Sequence, residues 1–114
     1  MKRSDNMEQI LAYIDAHPDK NITVGELAAL LDYSFYHFCH AFSSYTGVPV
    51  AAYLRRRRMA AAARDLLSGK SSVSVAAARG FQTLSGFAKA FRKHYGLSPS
   101  EYQKKFGVKN QKVI

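Results

Sequence analysis

An internal repeat constrains the fold of this 114-residue chain more than any other feature. Residues 27–53 read LAALLDYSFYHFCHAFSSYTGVPVAAY, and residues 75–102 read VAAARGFQTLSGFAKAFRKHYGLSPSEY. Ala28 corresponds to Ala76 at an offset of 48 residues, and Phe38 corresponds to Phe87 at an offset of 49. The same register pairs Asp32 with Gly80, Tyr33 with Phe81, Phe42 with Phe91, Gly47 with Gly96, and Tyr53 with Tyr102. One residue inserted in the second copy explains the change of offset, so the two segments are copies of one unit.

Each copy has the residue pattern of a helix-turn-helix. A small alanine, Ala28 or Ala76, lets a second helix cross close by. The fourth residue after it, Asp32 or Gly80, tolerates the left-handed backbone of a sharp turn. In helix-turn-helix proteins the second helix enters the major groove of DNA. One such spacing occurs in many helical hairpins, whereas two copies with matched aromatic and glycine positions indicate a duplicated DNA-binding motif.

Helix signals are frequent and strand signals are rare, so the expected fold class is all-α, with about seven helices. Thr23 and Glu26 form a capping box at the start of one helix, and the segment 98–101, SPSE, opens the last. Ser34 and Thr83 are placed to cap the second helix of each motif. The predicted helices cover about 6–16, 23–31, 34–45, 50–67, 74–80, 83–95 and 98 onward.

These elements predict two helix-turn-helix subdomains, residues 1–49 and 69–106, joined by a long linker helix over residues 50–68. Residues 107–114 are polar and predict a flexible tail. In the second subdomain we expect Val73 and Val75 to pack inward. Phenylalanines spaced four residues apart lie on one face of a helix and are expected to form the cores: Phe38, Phe42, Phe87 and Phe91.

The charge is placed unevenly along the chain. Residues 1–50 contain 3 Lys and Arg against 6 Asp and Glu, whereas residues 51–114 contain 14 against 2. Such asymmetry is typical of a surface that faces a polyanion, although a merely solubilising surface remains an alternative. The single cysteine excludes an internal disulfide and is typical of a reducing compartment. No apolar run approaches about 18 residues, so we expect a cytoplasmic protein without a membrane span.

The sequence also resembles a known family. The segment GFQTLSGFAKAFRKHYGLSPSEY (80–102) is close to the signature of the AraC/XylS family of bacterial transcription regulators. ITVGELAALLDYSFYHFCHAF (22–42) and YLRRRRMAAAARDLL (53–67) also match, so the resemblance covers about residues 7–106. It implies a nucleoid-associated regulator similar to the family's small stand-alone stress-response activators. Such a protein would bind promoter DNA as a monomer, place two recognition helices in neighbouring major-groove segments, and contact RNA polymerase.

The resemblance also implies which residues meet DNA. The positions that contact bases are Tyr36, Cys39 and His40 in the first unit, and Leu84, Ser85, Ala88 and Lys89 in the second. Serine and lysine can hydrogen-bond base edges, and apolar side chains can contact a thymine methyl group. The expected contacts to the DNA backbone are Ser34, Phe35, Arg55, Arg56, Thr83, Arg92 and Lys93.

The run of four arginines, residues 55–58, cannot face one direction, since successive helical residues differ by about 100°. We expect one or two of them to lie against the protein with buried stems and solvated heads. The others either contact phosphate or a protein partner, or are simply solvated.

Two other functions are considered from the residues. His37, Cys39 and His40 supply only three candidate metal ligands, and adjacent Cys39 and His40 diverge on a helix, which disfavours a metal site. No Ser/His/Asp set, metal-ligand spacing or phosphate loop is present in the sequence, so we expect neither an enzyme nor a cofactor. The remaining alternative to a sequence-specific regulator is a non-specific architectural nucleic-acid-binding protein.

Overall fold

The computed structural model describes residues 3–107, and over this range the chain forms seven α-helices and no β-strand. In chain order they are α1 (Arg3–Ala16), α2 (Val24–Leu30), α3 (Phe35–Thr46), α4 (Val50–Leu67), α5 (Ser72–Ala78), α6 (Leu84–Tyr95) and α7 (Pro99–Phe106). The all-α fold class expected from the sequence is confirmed. The tail predicted over 107–114 lies, apart from Gly107, outside the described residues.

The chain divides into two compact units within α4. Unit 1 comprises residues 1–57 and unit 2 comprises residues 58–114. The core of unit 1 is formed by side chains of α1, α2, α3 and the first turns of α4. The core of unit 2 is formed by the rest of α4 together with α5 and α6, and Tyr102 of α7 packs against it. Each unit therefore has its own hydrophobic core.

The internal repeat is also a repeat of packing. In unit 1, Phe38 and Phe42 are fully buried with ring centroids 5.9 Å apart, and Tyr53 packs edge-on to Phe42 at 5.5 Å. The corresponding three rings of unit 2 are Phe87, Phe91 and Tyr102. Their centroid distances are 5.7 Å within the phenylalanine pair and 5.2 Å from Phe91 to the tyrosine, which is again edge-on. The prediction that these four phenylalanines form the cores is confirmed. The edge-to-face contact with tyrosine stabilises each cluster.

Both motifs turn through the same hydrogen-bonded cap. In unit 1 the amide of Tyr33 donates to the carbonyl of Ala28 at 3.0 Å, and the amide of Asp32 donates to Ala29 at 3.0 Å. In unit 2 the equivalent bonds join Phe81 to Ala76 at 2.9 Å and Gly80 to Ala77 at 3.1 Å. This pattern, a Schellman motif, requires a left-handed residue just after the helix. Asp32 (φ 58°) and Gly80 (φ 82°) fill that position, as the sequence predicts.

Hydroxyl caps fix where the helices begin. Thr23 and Ser98 form the predicted capping boxes, with Glu26 and Glu101 respectively. Helix α5 begins at Ser72 rather than near residue 74, because the hydroxyl of Ser71 accepts a hydrogen bond from the amide of Ser74 at 3.1 Å. Helix α1 likewise begins earlier than predicted, at Arg3.

The expectation for Val73 and Val75 is half right. Val75 is fully buried, but the side chain of Val73 is 63% exposed. The two residues lie about 200° apart around the helix, so α5 cannot bury both against one core. The prediction that Val73 packs inward is therefore wrong.

A buried ion pair joins α4 to the end of α5. The guanidinium of Arg79 donates to Oδ2 of Asp65 from Nε at 3.2 Å and from Nη2 at 3.0 Å, and both side chains are largely buried. Nζ of Lys70 lies 3.6 Å from the other carboxylate oxygen. Separating α4 from the end of α5 would break this pair and leave buried charges uncompensated, which is strongly unfavourable. The pair therefore stabilises the packing of these two helices.

We expect Gly80→Ala to destabilise the protein by about 1–2 kcal/mol, because a Cβ atom is strained at a positive φ. Gly25→Ala is the matched control, since Gly25 lies in α2 with ordinary helical geometry and a Cβ built there would meet nothing within 4 Å. This change should leave stability unchanged or raise it by up to about 1 kcal/mol. Urea unfolding of both variants measures the difference, and equal effects would contradict the left-handed turn.

Stability should fall as the pH drops from about 5 to about 3. Burial raises the pKa of Glu26, but hydrogen bonds from Tyr13 and Thr23 and the charge of Lys20 bring it below its ordinary value. Hydrogen bonds from the amide and hydroxyl of Ser98 lower the pKa of Glu101. A carboxylate whose pKa is lower in the folded state than the unfolded value of 4.5 stabilises the fold above that pH. The stabilisation is lost as acid protonates the folded carboxylate. The double variant Glu26→Gln/Glu101→Gln should therefore unfold with a shallower pH dependence than the parent, and parallel curves would refute this.

Candidate nucleic-acid interface

The outer face of α3 is exposed and uncharged. The Ser34 hydroxyl accepts from the amide of His37 at 3.0 Å and begins the helix, and the buried Phe38 and Phe42 define its inner face. On the opposite side Tyr36 is 79% exposed, His40 is exposed and Cys39 is half-buried. None of the twelve residues of α3 is Lys, Arg, Asp or Glu. The three predicted base-contacting residues of unit 1 are thus brought onto one face.

Ring contacts order the side chains of this face. The ring of His40 is stacked with that of Tyr36, one helical turn earlier, at a centroid distance of 6.3 Å and an interplanar angle of 16°. The ring of His37 is stacked on Tyr33 instead, at 4.0 Å and 7°. The ring of His37 therefore lies beside the turn of the motif.

A shallow apolar groove of about 390 Å³ runs along the same side of α3. Its walls comprise Val24 of α2, residues 49–51 at the start of α4, and five residues of α3: Phe35, Tyr36, Cys39, His40 and Ser43. Phe35 is 61% exposed at the first position of α3. The sequence carries no signal for the walls from Val24 and residues 49–51, because they meet α3 only through tertiary packing.

The outer face of α6 is different in character. The Thr83 hydroxyl accepts from the amide of Gly86 at 2.9 Å, and the buried Phe87 and Phe91 define the inner face. The predicted base-contacting residues are mixed in exposure: Leu84 is 44% exposed, Ser85 and Lys89 are exposed, and Ala88 is half-buried. The last turn adds three basic residues, Arg92, Lys93 and His94, all exposed.

The two units differ in charge as well. Unit 1 contains six Lys and Arg and six Asp and Glu, a net charge of zero, and unit 2 contains eleven against two, a net charge of +9. One exposed cation of α6 forms an ion pair: Nη1 of Arg92 lies 3.3 Å from Oε1 of Glu101 in α7. An exposed pair of this kind is weak in water and can exchange for a phosphate contact.

The four consecutive arginines point in different directions, as predicted. Arg55 and Arg56 are exposed, whereas Arg57 and Arg58 are half-buried. The guanidinium of Arg57 donates to the carbonyls of Ile14 at 3.0 Å and Lys20 at 3.1 Å, and also to that of His17. Each of these carbonyls, at or beyond the end of α1, also accepts a backbone amide, so Arg57 supplies a second, charged donor to all three. The guanidinium of Arg58 lies 5.5 Å from the ring centroid of Phe81 in unit 2.

The heads of these two arginines contact protein, which corrects the expectation that they are solvated. The sequence contains a signal for this arrangement. Val50, Leu54 and Ala61 are buried on one stripe of α4. Arg57 continues the same stripe, so its spacing from Leu54 places it inward.

Within residues 3–107, no group of three or more His, Cys, Asp and Glu side chains is arranged to hold a metal ion. Cys39 has a free thiol. Over the same range, no helix has the length and hydropathy to cross a bilayer.

Residues 27–105 match a family model described as a helix-turn-helix domain. The chain is 36% identical over 99 residues to the regulatory protein PocR of Salmonella typhimurium. The aligned region covers 85% of this chain and 32% of PocR. It is 29% identical over 102 residues to the HTH-type transcriptional activator AarP of Providencia stuartii. The aligned region covers 89% of this chain and 76% of AarP. The chain therefore spans about a third of the length of PocR and about three quarters of that of AarP.

Among solved structures, the chain is similar to the DNA-binding domain of AdpA, a global transcriptional factor, determined in complex with a target DNA. The TM-score is 0.74 at 29% sequence identity, and the match covers 88% of this chain and 91% of the AdpA chain.

Arg57→Ala should lower the free energy of unfolding by about 1–3 kcal/mol, because three carbonyls lose a charged hydrogen-bond donor. Arg56→Ala is the matched control: the same residue type is removed one position earlier, where the side chain is exposed, and stability should change by less than about 0.5 kcal/mol. Thermal unfolding followed by circular dichroism compares the two. Equal destabilisation would mean that Arg57 does not anchor the end of α1.

Proposed function

Because this chain belongs to the AraC-type family of helix-turn-helix DNA-binding transcription regulators, we propose that it recognises specific sequences in promoter DNA and activates transcription. In this proposal the protein acts as a monomer, places α3 and α6 in neighbouring major-groove segments, and contacts RNA polymerase. Its place of action is the nucleoid, where promoter DNA lies.

The duplicated motif is the observation that carries the proposal. Each unit has a helix with a hydroxyl cap at its start, a buried phenylalanine pair on one face and exposed side chains on the other. Many helix-turn-helix proteins must dimerise to present two such helices to DNA. One chain with two copies has both, which supports binding as a monomer.

The charge distribution supports a division between anchoring and reading. Phosphate contacts are assigned to exposed cations and to groups at helix starts: Arg55, Arg56, Arg92, Lys93, Ser34, Phe35 and Thr83. The hydroxyls of Ser34 and Thr83 accept the capping bond through oxygen, and each retains a proton to donate to a phosphate. Base contacts are assigned to the outer faces of α3 and α6: Tyr36, Cys39, His40, Leu84, Ser85, Ala88 and Lys89.

The charge of unit 2 favours a second candidate, a non-specific architectural binder. A net charge of +9 over 57 residues attracts any duplex through release of condensed counterions. Such a protein would show a steep dependence of affinity on salt and little preference among sequences. The uncharged outer face of α3 weighs against this candidate, since it adds nothing to phosphate attraction.

Activation is supported by similarity to AarP, whose name describes it as a transcriptional activator. The structure of the AdpA domain with its target DNA supports direct engagement of a duplex by a domain of this kind. Contact with RNA polymerase would couple that engagement to transcription. A promoter template that carries the selected site, transcribed by purified bacterial polymerase, tests this step: more transcript is expected when the protein is added.

Selection from random duplexes should recover a common sequence, and footprinting of it should show two protected major-groove segments. Lys89→Ala should weaken binding to the selected duplex by about tenfold or more, since a base contact contributes about 1–3 kcal/mol. Lys105→Ala removes the same charge from α7, outside the proposed interface, and should weaken binding less. Titrations at several salt concentrations measure both affinities.

Failure to enrich any sequence, with a steep salt dependence, would instead establish the architectural binder. Equal effects of the two lysine substitutions would remove Lys89 from the base-reading face.

A further inference from the structure

The outer face of α3 lacks the side chains that usually read bases by paired hydrogen bonds. Arg and Lys pair with guanine, Asn and Gln pair with adenine, and Asp and Glu accept from cytosine. None of these six residue types occurs among the twelve residues of α3. Direct readout by this helix must therefore depend on its aromatic, thiol, imidazole and hydroxyl groups.

The exposed groups at the start of α3 are predominantly apolar. Phe35 and Tyr36 present aromatic rings to solvent, and Cys39 lies beside them with a free thiol. The apolar groove extends this surface along the helix towards residues 49–51. In the major groove the 5-methyl group of thymine is the one apolar feature on a base edge. Apolar contact with that methyl group is the readout that these side chains match.

We propose that α3 reads thymine methyl groups, so that the half-site bound by unit 1 is recognised chiefly through apolar contacts with Tyr36 and Cys39. His40 supplies a directional hydrogen bond, and its stacking with Tyr36 orders both rings. The other half-site, read by α6, is recognised through Ser85 and Lys89 as well as Leu84. This inference rests on the proposed function and names the base chemistry of its first half-site.

A consequence is that the two half-sites respond differently to salt. The contacts of α3 neutralise no phosphate, so their loss should lower affinity without changing the slope of affinity against salt concentration. Loss of a cationic contact in unit 2 should lower the affinity and also reduce the slope of affinity against salt concentration. The salt slope therefore separates methyl reading from electrostatic anchoring in the same protein.

The test compares thymine with deoxyuridine in the duplex recovered by selection. Deoxyuridine keeps the pairing groups of thymine and lacks only the 5-methyl group. A hydroxyl-radical cleaver tethered at Ser44→Cys, an exposed position of α3, in a Cys39→Ser chain first identifies the half-site that faces this helix. Deoxyuridine is then placed in that half-site or in the other one, and affinities are measured for the unmodified protein.

In the α3 half-site, affinity should fall about fourfold for each contacted methyl group that is removed. The salt slope should not change. Tyr36→Ala should bind the thymine duplex more weakly and lose most of the sensitivity to deoxyuridine, whereas Lys89→Ala, the matched control on α6, should retain it. Tyr36 is largely exposed, so its removal should leave the fold intact, and circular dichroism checks this. Once the half-site is assigned, the affinities themselves are measured with the unmodified protein, so a folding defect of a variant cannot affect them.

Equal affinity for the thymine and deoxyuridine duplexes, with preference over a scrambled duplex retained, would overturn the inference and leave the proposed function standing. A deoxyuridine effect that Tyr36→Ala leaves undiminished would also overturn it, since the methyl group would then act through the shape of DNA. No preference over scrambled DNA would instead refute the proposed function, and the inference with it.

Discussion

Two buried phenylalanine pairs, each closed edge-on by a tyrosine from a later helix, are the contacts on which the rest of the structure depends. The pair in α3 is covered by Tyr53 of α4, and the pair in α6 is covered by Tyr102 of α7. Because residues four apart share one face of a helix, each pair fixes the rotation of its helix about its own axis. The outward face, and hence the set of residues available to DNA, follows from what is buried.

The two copies of the unit have the same buried framework and different surfaces. The turn, the phenylalanine pair and the final glycine recur in both, whereas α3 is uncharged and α6 carries exposed Lys89, Arg92 and Lys93. Attraction to phosphate is independent of sequence, and contact with base edges is not. A duplication that keeps its core and changes its surface can therefore assign anchoring and reading to different units of one chain.

Much of this architecture is accessible from the sequence, because the signals involved are local. A hydroxyl that accepts from an amide three residues later, or a glycine after a helix, acts within one turn, so the caps and turns at Ser34, Thr83 and Gly80 were predictable. Exact starts were less so: the cluster of serines at 71–74 offers competing caps, and the chain uses the first. The assignment of residues to DNA came from resemblance, and it stays a proposal.

Features that join distant segments were not predicted. The spacing of Arg57 from Leu54 indicates that it faces inward, but nothing in the sequence indicates that its guanidinium donates to carbonyls up to 43 residues away. Asp65 and Arg79 form a buried ion pair, and no pattern in the sequence around either residue indicates that they pair. The groove beside α3 likewise exists only because α2 and α4 pack around that helix.

The sequence by itself determined the helices, their caps, the duplicated motif and the phenylalanine cores, because periodicity and local hydrogen bonds specify them within a few residues. Only the tertiary structure decided what the arginines of α4 contact, which valine of α5 is buried and what surrounds the outer face of α3. These depend on which helix lies against which, and that is set by the sum of many apolar contacts between segments far apart in the chain.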